Sequence, residues 1–309
     1  MEREKFSSFT TVGSMEMIAS VGSYTSVKIC DLSSGDIIAT LKGHTGETYR
    51  VCFSLCGALL ACGSLNGSIA VWDCETWTRM QTFTGHASAV LSVSFSRAGD
   101  KILSTSHDGT VRVWSLVSNM EELKITPGST NTICARFINN DDTIIVTYDG
   151  MIKIYDAHTG ELKRSLADHP SHLCCIDCSQ DGSMLVSGSS DYEVVLWDVA
   201  SGSVLRELLG HTRAVSQVCF NADASRVVSS SWDYTARIWD VSTGECLLAI
   251  TNQSFVLSCC FSEDGSKVIT ASNDGAVKVW DSYTGEELRT LRCHHYYVAY
   301  RPSVSGSYI

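Results

Sequence analysis

The 309-residue chain has three prolines, no run of eighteen apolar residues, no sustained helical periodicity and fewer basic than acidic side chains. Without the apolar run there is no membrane-spanning helix to expect. Without a 3.6-residue apolar period, helical bundles and doubly wound folds are set aside in favour of strands. Lys and Arg total 23 against 34 Asp and Glu, a net charge of −11, which argues against nucleic acid or anionic lipid as the default partner because phosphate binding needs a positive field. No Gly-x-x-x-x-Gly-Lys-Ser/Thr loop is present to cradle a phosphate. The opening Met1-Glu2-Arg3-Glu4-Lys5 is charged and lacks a following apolar core, so no secretory signal is expected. Cysteine is plentiful, with fourteen residues, and Cys52, Cys219 and Cys260 recur in register as small buried hydrophobes do in a reducing compartment. A cytoplasmic location is expected, with nuclear or cytoskeletal and ciliary locations as alternatives. The glycosylation patterns at Asn66-Gly67-Ser68 and Asn252-Gln253-Ser254 are then incidental.

What the chain does have is a ruler. Cys30-Asp31, Trp72-Asp73, Trp114-Ser115, Tyr155-Asp156, Trp197-Asp198, Trp239-Asp240 and Trp280-Asp281 follow one another at steps of 42, 42, 41, 42, 42 and 41 residues. A fixed period of this length means one supersecondary unit copied around a ring or along an array, and it overrides a two-domain estimate from length. In the unit that ends near Trp114, alternation and turn residues predict strands over 93–96, 101–106, 110–114 and 121–126. Hairpin signals repeat with the strands: Asn66-Gly67, Asp108-Gly109, Asp149-Gly150 and Asp274-Gly275 between second and third, and Thr159-Gly160, Ser201-Gly202, Thr243-Gly244 and Thr284-Gly285 between third and fourth. Each unit is therefore a four-stranded antiparallel meander, marginal alone and apolar on both faces. Radial stacking of such sheets covers both faces.

The registered residues resemble the WD40-repeat family over essentially the whole chain. Gly43-His44, Gly85-His86 and Gly210-His211, with Asp168-His169 as a variant, place a histidine 28 residues before a tryptophan. Asp or Asn stands six residues before it and Ser or Thr ten before it. The resemblance implies an all-β, seven-bladed propeller spanning 1–309 and a buried hydrogen-bond tetrad in each well-formed blade. Three units carry all four types: His86/Ser104/Asp108/Trp114, His169/Ser187/Asp191/Trp197 and His211/Ser229/Asp233/Trp239. Cys62 and Asn66 weaken the second unit, Asn252 replaces histidine in the seventh, and the unit ending at Tyr155 lacks Gly-His and one residue before Asp149. For the closing strand of the first blade, the first-strand column Phe53, Phe95, Phe137, Cys178, Phe220 and Phe261 extends to Tyr300, which favours the segment 296–301; the alternative is 6–12. The end, 303–309, looks like the start of another repeat.

A Ser-His-Asp set invites a hydrolase reading, yet here it recurs in register with its hydroxyls inside strands, whereas a nucleophile sits once, on an exposed turn. Cys174, Cys175 and Cys178 lack a second pair of thiols for zinc and read as packing. No catalytic residue, metal or cofactor is assigned. The resemblance points instead to a rim formed by the links between blades and by the turns between second and third strands. The residue before each tetrad Asp position gives Leu65, His107, Tyr148, Ser190, Trp232 and Asn273; the stretch after Gly-His gives Glu47, Tyr49, Asn131, His172, Arg213 and Phe255. Of these, Trp232, Arg213, Tyr148, Tyr49, Phe255, His172 and His107 are the candidate partner-binding residues, since aromatic and arginine side chains anchor interfaces. The expected function is a non-catalytic protein–protein interaction scaffold, with other proteins or peptides as partners inside a multi-protein complex. A structural subunit of a cytoskeletal or ciliary assembly is the alternative, and a small-ligand binder or enzyme the last.

Overall fold

The computed structural model describes residues 8–12, 15–21, 26–32, 34–43, 46–128, 132–138, 140–166 and 173–292. These residues form seven four-stranded antiparallel sheets, spanning Ser8–Lys42, Thr48–Phe83, Val90–Ile125, Thr132–Ser165, Leu173–Leu208, Val215–Thr251 and Val256–Arg292. Within each sheet the strands lie side by side in chain order, and the first strands of successive sheets pack on one another around the axis. The molecule is a seven-bladed β-propeller. Among the described residues no helix is long and apolar enough to cross a membrane.

Burial falls from the inner strands of each sheet to its outer strand. Second strands are almost wholly buried, as in Lys101–Ser106, while fourth strands such as Glu121–Ile125 expose most residues. Apolar clusters sit between sheets rather than inside them. Ile144, Val146 and Tyr155 of the fourth sheet pack with Leu103, Val111 and Val113 of the third. The ring closes in the same way, with Ile18, Cys30 and Leu32 of the first sheet joining Phe261, Trp280 and Leu291 of the seventh. Lys267 and Glu16 form an ion pair at 2.9 Å across that seam. Full burial of one such Leu or Phe contributes about 1.5–3 kcal/mol, so these interfaces dominate what holds the ring.

The Asp of the ruler has a local task. Its carboxylate accepts N–H bonds from the following turn: Asp73 from Thr76 at 2.7 Å, Asp156 from Thr159 at 2.8 Å, Asp240 from Thr243 at 2.7 Å and Asp281 from Thr284 at 2.8 Å. The Asp156, Asp240 and Asp281 carboxyls lie below the usual carboxylate range: for Asp156 the Lys163 side chain is the largest cause, for Asp240 the Ser242 hydroxyl, and for Asp281 the turn N–H of Thr284, with the turn N–H groups adding to the first two. The pair thus marks the end of a strand because it builds the turn that ends it.

In the first sheet, Ser8–Val12 runs antiparallel to Met15–Val21, with Thr10 opposite Met17. Two residues join these strands, and so short a link costs far less closure entropy than a pairing brought from the other end of the chain. The segment 296–301, preferred from its aromatic column, lies outside the described residues.

Candidate functional site

Among the described residues, two complete tetrads pin the rim. In the third sheet, His86 Nδ1 lies 3.0 Å from Asp108 Oδ2 and its Nε2 lies 2.7 Å from Ser104 Oγ, while Trp114 Nε1 donates to the same hydroxyl at 2.8 Å. In the sixth, His211 makes the corresponding bonds to Asp233 at 2.8 Å and Ser229 at 2.7 Å, and Trp239 donates to Ser229 at 2.8 Å. The histidine belongs to the link that enters its sheet and the aspartate to the turn between second and third strands, so each tetrad fastens two rim loops together. Thr110 and the Ala87 N–H also donate to Asp108, at 2.7 and 2.9 Å.

Burial alone would push the Asp108 carboxyl up, but the bonds from Thr110, Ala87 and His86 outweigh it and hold the group far below the carboxylate range. Asp233 is held down in the same way by His211, Thr235 and Thr212. Burial pushes the His86 imidazole down, more than its bonds to Asp108 push it up, so the neutral ring is favoured. The arrangement copies the order of a hydrolytic triad, yet Ser104 is 1% exposed and its oxygen is already shared between an indole and an imidazole. A hydroxyl so enclosed serves structure, because a nucleophile must reach a substrate carbonyl.

The remaining sheets depart by degrees. In the fifth, Trp197 donates to Ser187 at 2.8 Å; His169 lies outside the described residues, and Asp191 is exposed. In the seventh, Trp280 donates to Thr270 at 2.8 Å and Thr270 donates to Asn252 at 3.2 Å, so the amide oxygen stands where an imidazole would.

Above this network lies an aromatic ridge. Trp232 is 38% exposed at the tip of the sixth sheet's turn, and its ring centroid is 5.7 Å from that of Phe255 in the link to the seventh. Tyr234, 43% exposed, stacks on Phe255 at 5.2 Å and 16°. Backbone bonds fix the three: Trp232 N–H donates to Ala214, Asn252 N–H to Tyr234 and Asn273 N–H to Phe255. Arg213 is exposed beside the ridge, its carbonyl accepting from Ser231 Oγ at 2.9 Å.

The structure therefore brings Trp232, Phe255 and Arg213 to one region and leaves His107 exposed in the third sheet's turn. His172 and the Tyr49 side chain lie outside the described residues. Tyr148 differs from its expected place at the rim. It is 2% exposed, packed with Val146 and Tyr155, with Lys153 Nζ 5.0 Å from its ring centre. The residue missing before Asp149 is the reason. Tyr148 pairs with Met151 across a two-residue turn, so it takes the strand-end place filled elsewhere by Ser106 and Ser231, and no tip residue remains. Tyr234 joins the ridge without standing in either sequence column; its signal is a departure from glycine, since Asp233-Tyr234 occupies the place of Asp108-Gly109 and Asp274-Gly275.

A family model described as IFT122 first beta-propeller matches residues 132–309, and one described as WD domain, G-beta repeat matches 35–73 and 77–115. The crystal structure of the computationally designed protein Ika8 matches 97% of this chain and 90% of its own, with a TM-score of 0.78 and 24% identity, a likeness that shows the fold alone. The first of these models covers more than half of the sequence, and the chain belongs to the WD40-repeat β-propellers of the IFT122 first-propeller family.

Proposed function

We propose, with membership of that family as the premise, that this propeller is a non-catalytic scaffold that docks partner proteins on its rim, at the ridge of Trp232, Phe255 and Tyr234 with Arg213 beside it. One observation carries the reading: two large aromatic side chains stand more than a third exposed on turns whose backbones are tied down by hydrogen bonds. Rigid aromatic side chains lose little freedom on binding, and aromatic and arginine side chains supply most of the energy of typical interfaces. His107, farther around the rim, is a secondary contact.

The second reading, a subunit of a cytoskeletal or ciliary assembly held by its flank, draws on the IFT122-type family and on the outer strands. Ile37, Leu162, Val204, Leu205, Leu247 and Leu288 are all exposed there. Affinity capture with quantitative mass spectrometry of the bound proteins separates the two. Trp232→Ala and Arg213→Ala are expected to lose the partners that the unaltered chain retains, by about ten-fold for a hot-spot residue. Retention by both variants, with loss on Val204→Glu or Leu205→Glu, overturns the rim reading in favour of flank packing.

A further inference from the structure

We infer that the ridge recognises a basic segment, seating a lysine or arginine side chain against the Trp232 and Tyr234 rings on the side of Asp274. The inference rests on the rim reading and gives it a partner chemistry.

The first observation is conformational. The residue after the Asp or Asn of this turn adopts a left-handed backbone throughout: Gly67 at φ 85°, Gly109 at 77°, Gly150 at 79° and Gly275 at 82°. Two neighbouring sheets place tyrosine there instead, Tyr192 at φ 78° and Tyr234 at φ 71°. A bulky side chain is disfavoured in that region, and the other four turns show that the fold accepts glycine. Both tyrosines project to solvent. Unfavourable backbone held at an exposed aromatic directs attention to binding. The stack on Phe255 fixes the Tyr234 ring in advance of any partner.

The second observation is electrostatic. Among the described residues of these turns and links, Glu47, Asp149, Asp191 and Asp274 are exposed carboxylates, and Arg213 is the one arginine or lysine. Asp274 stands next to Asn273, whose N–H donates to the Phe255 carbonyl at 2.9 Å, so the turn that carries it adjoins the link that carries Phe255. It is also held out of a tetrad. Asn252 occupies the histidine place of that sheet, and the Asp274 carboxylate accepts only a weak turn bond from the Ala276 N–H at 3.2 Å, whereas Asp233 is drawn inward by His211. Aromatic faces attract cations, and a carboxylate beside them adds charge attraction at small desolvation cost. The aliphatic stem of the same lysine or arginine suits the rings.

Fluorescence anisotropy with the whole chain tests this, using a labelled twelve-residue peptide of leucine, lysine and arginine and a counterpart with every cation replaced by glutamate. The basic peptide is expected to bind at least about ten-fold more tightly at low salt, with the difference shrinking as salt is raised. Tyr234→Gly relieves the backbone while removing the ring, so the melting temperature should stay near that of the unaltered chain while affinity falls about five-fold or more. Asp274→Asn should weaken the basic peptide and leave the acidic one unchanged. Equal binding of the two peptides, or basic-peptide binding that survives both Tyr234→Gly and Asp274→Asn, overturns the inference. Those outcomes leave the rim reading standing if Trp232→Ala still abolishes partner capture. Conversely, a ridge that prefers the basic peptide while capture ignores Trp232 sinks the rim reading alone.

Discussion

The sixth and seventh sheets are adjacent and alike in strand pairing, but the tetrad's histidine place holds His211 in one and Asn252 in the other. In the sixth, His211 joins the rim aspartate to the core serine, and one chain of hydrogen bonds runs from Asp233 to Trp239. In the seventh, Asn252 reaches Thr270 but has no ring to span the distance to Asp274, so the inner half of the network persists and the outer half is released. The fourth sheet, with Tyr155 at the tryptophan place and no Gly-His, still forms four paired strands and a buried core. The tetrad is therefore not what makes a blade. Apolar faces hidden between neighbours make it, and the tetrad decides how firmly two rim loops are joined.

The comparison can be broken hardest at the indole. Trp239→Ala should cost about 3–5 kcal/mol, measured by urea unfolding, since it leaves a large cavity and strips Ser229 of a donor. If the cost is below about 1 kcal/mol, the inter-sheet packing has been overvalued. Next comes the polar position itself. His211→Ala leaves Asp233 and Ser229 buried with lost partners and should cost about 2–3 kcal/mol, whereas Asn252→Ala removes the two long bonds that its amide oxygen accepts from Thr270 and Ser272, at 3.2 and 3.4 Å, and should cost about 1 kcal/mol. Equal costs would mean that the outer half of the tetrad adds nothing.

The smallest effect is with pH. The neutral His86 ring is favoured in the fold, so its native pKa lies below that of the unfolded chain. The unfolded state then binds more protons in the window below about pH 6.5, and stability falls as pH drops through that window, by at most about 1.4 kcal/mol per pH unit. The depressed Asp108 and Asp233 add a second loss, beginning below about pH 4 as their carboxyls are protonated. Denaturation midpoints between pH 7.5 and 5 should therefore decline for the unaltered chain and decline less for His86→Asn. A stability that rises on acidification would show that charged His86 is preferred.

Much of this is legible in the sequence alone. The period, the strand-ending Trp-Asp pair and the His86 and His211 tetrads are spacings, and a repeated spacing survives translation into structure because each copy meets the same neighbours. Tyr148 shows where that logic ends. Its column number placed it at a tip, but one missing residue tightened the turn and moved it to a buried strand end. Tyr234 shows the converse. Its departure from glycine was visible in the sequence, yet its meaning came from a stack on Phe255, a residue of the next sheet's entrance.

The sequence by itself determined the number of units, the four strands in each and the polar groups that could be buried together, since these follow from local periodicity and from hydrogen-bonding valence. Only the tertiary structure decided which strand stands beside Met15–Val21 and which aromatics from different sheets meet. It also decided which carboxylate is left at the surface. Those outcomes depend on the distances between neighbouring sheets, and a one-dimensional pattern does not carry them.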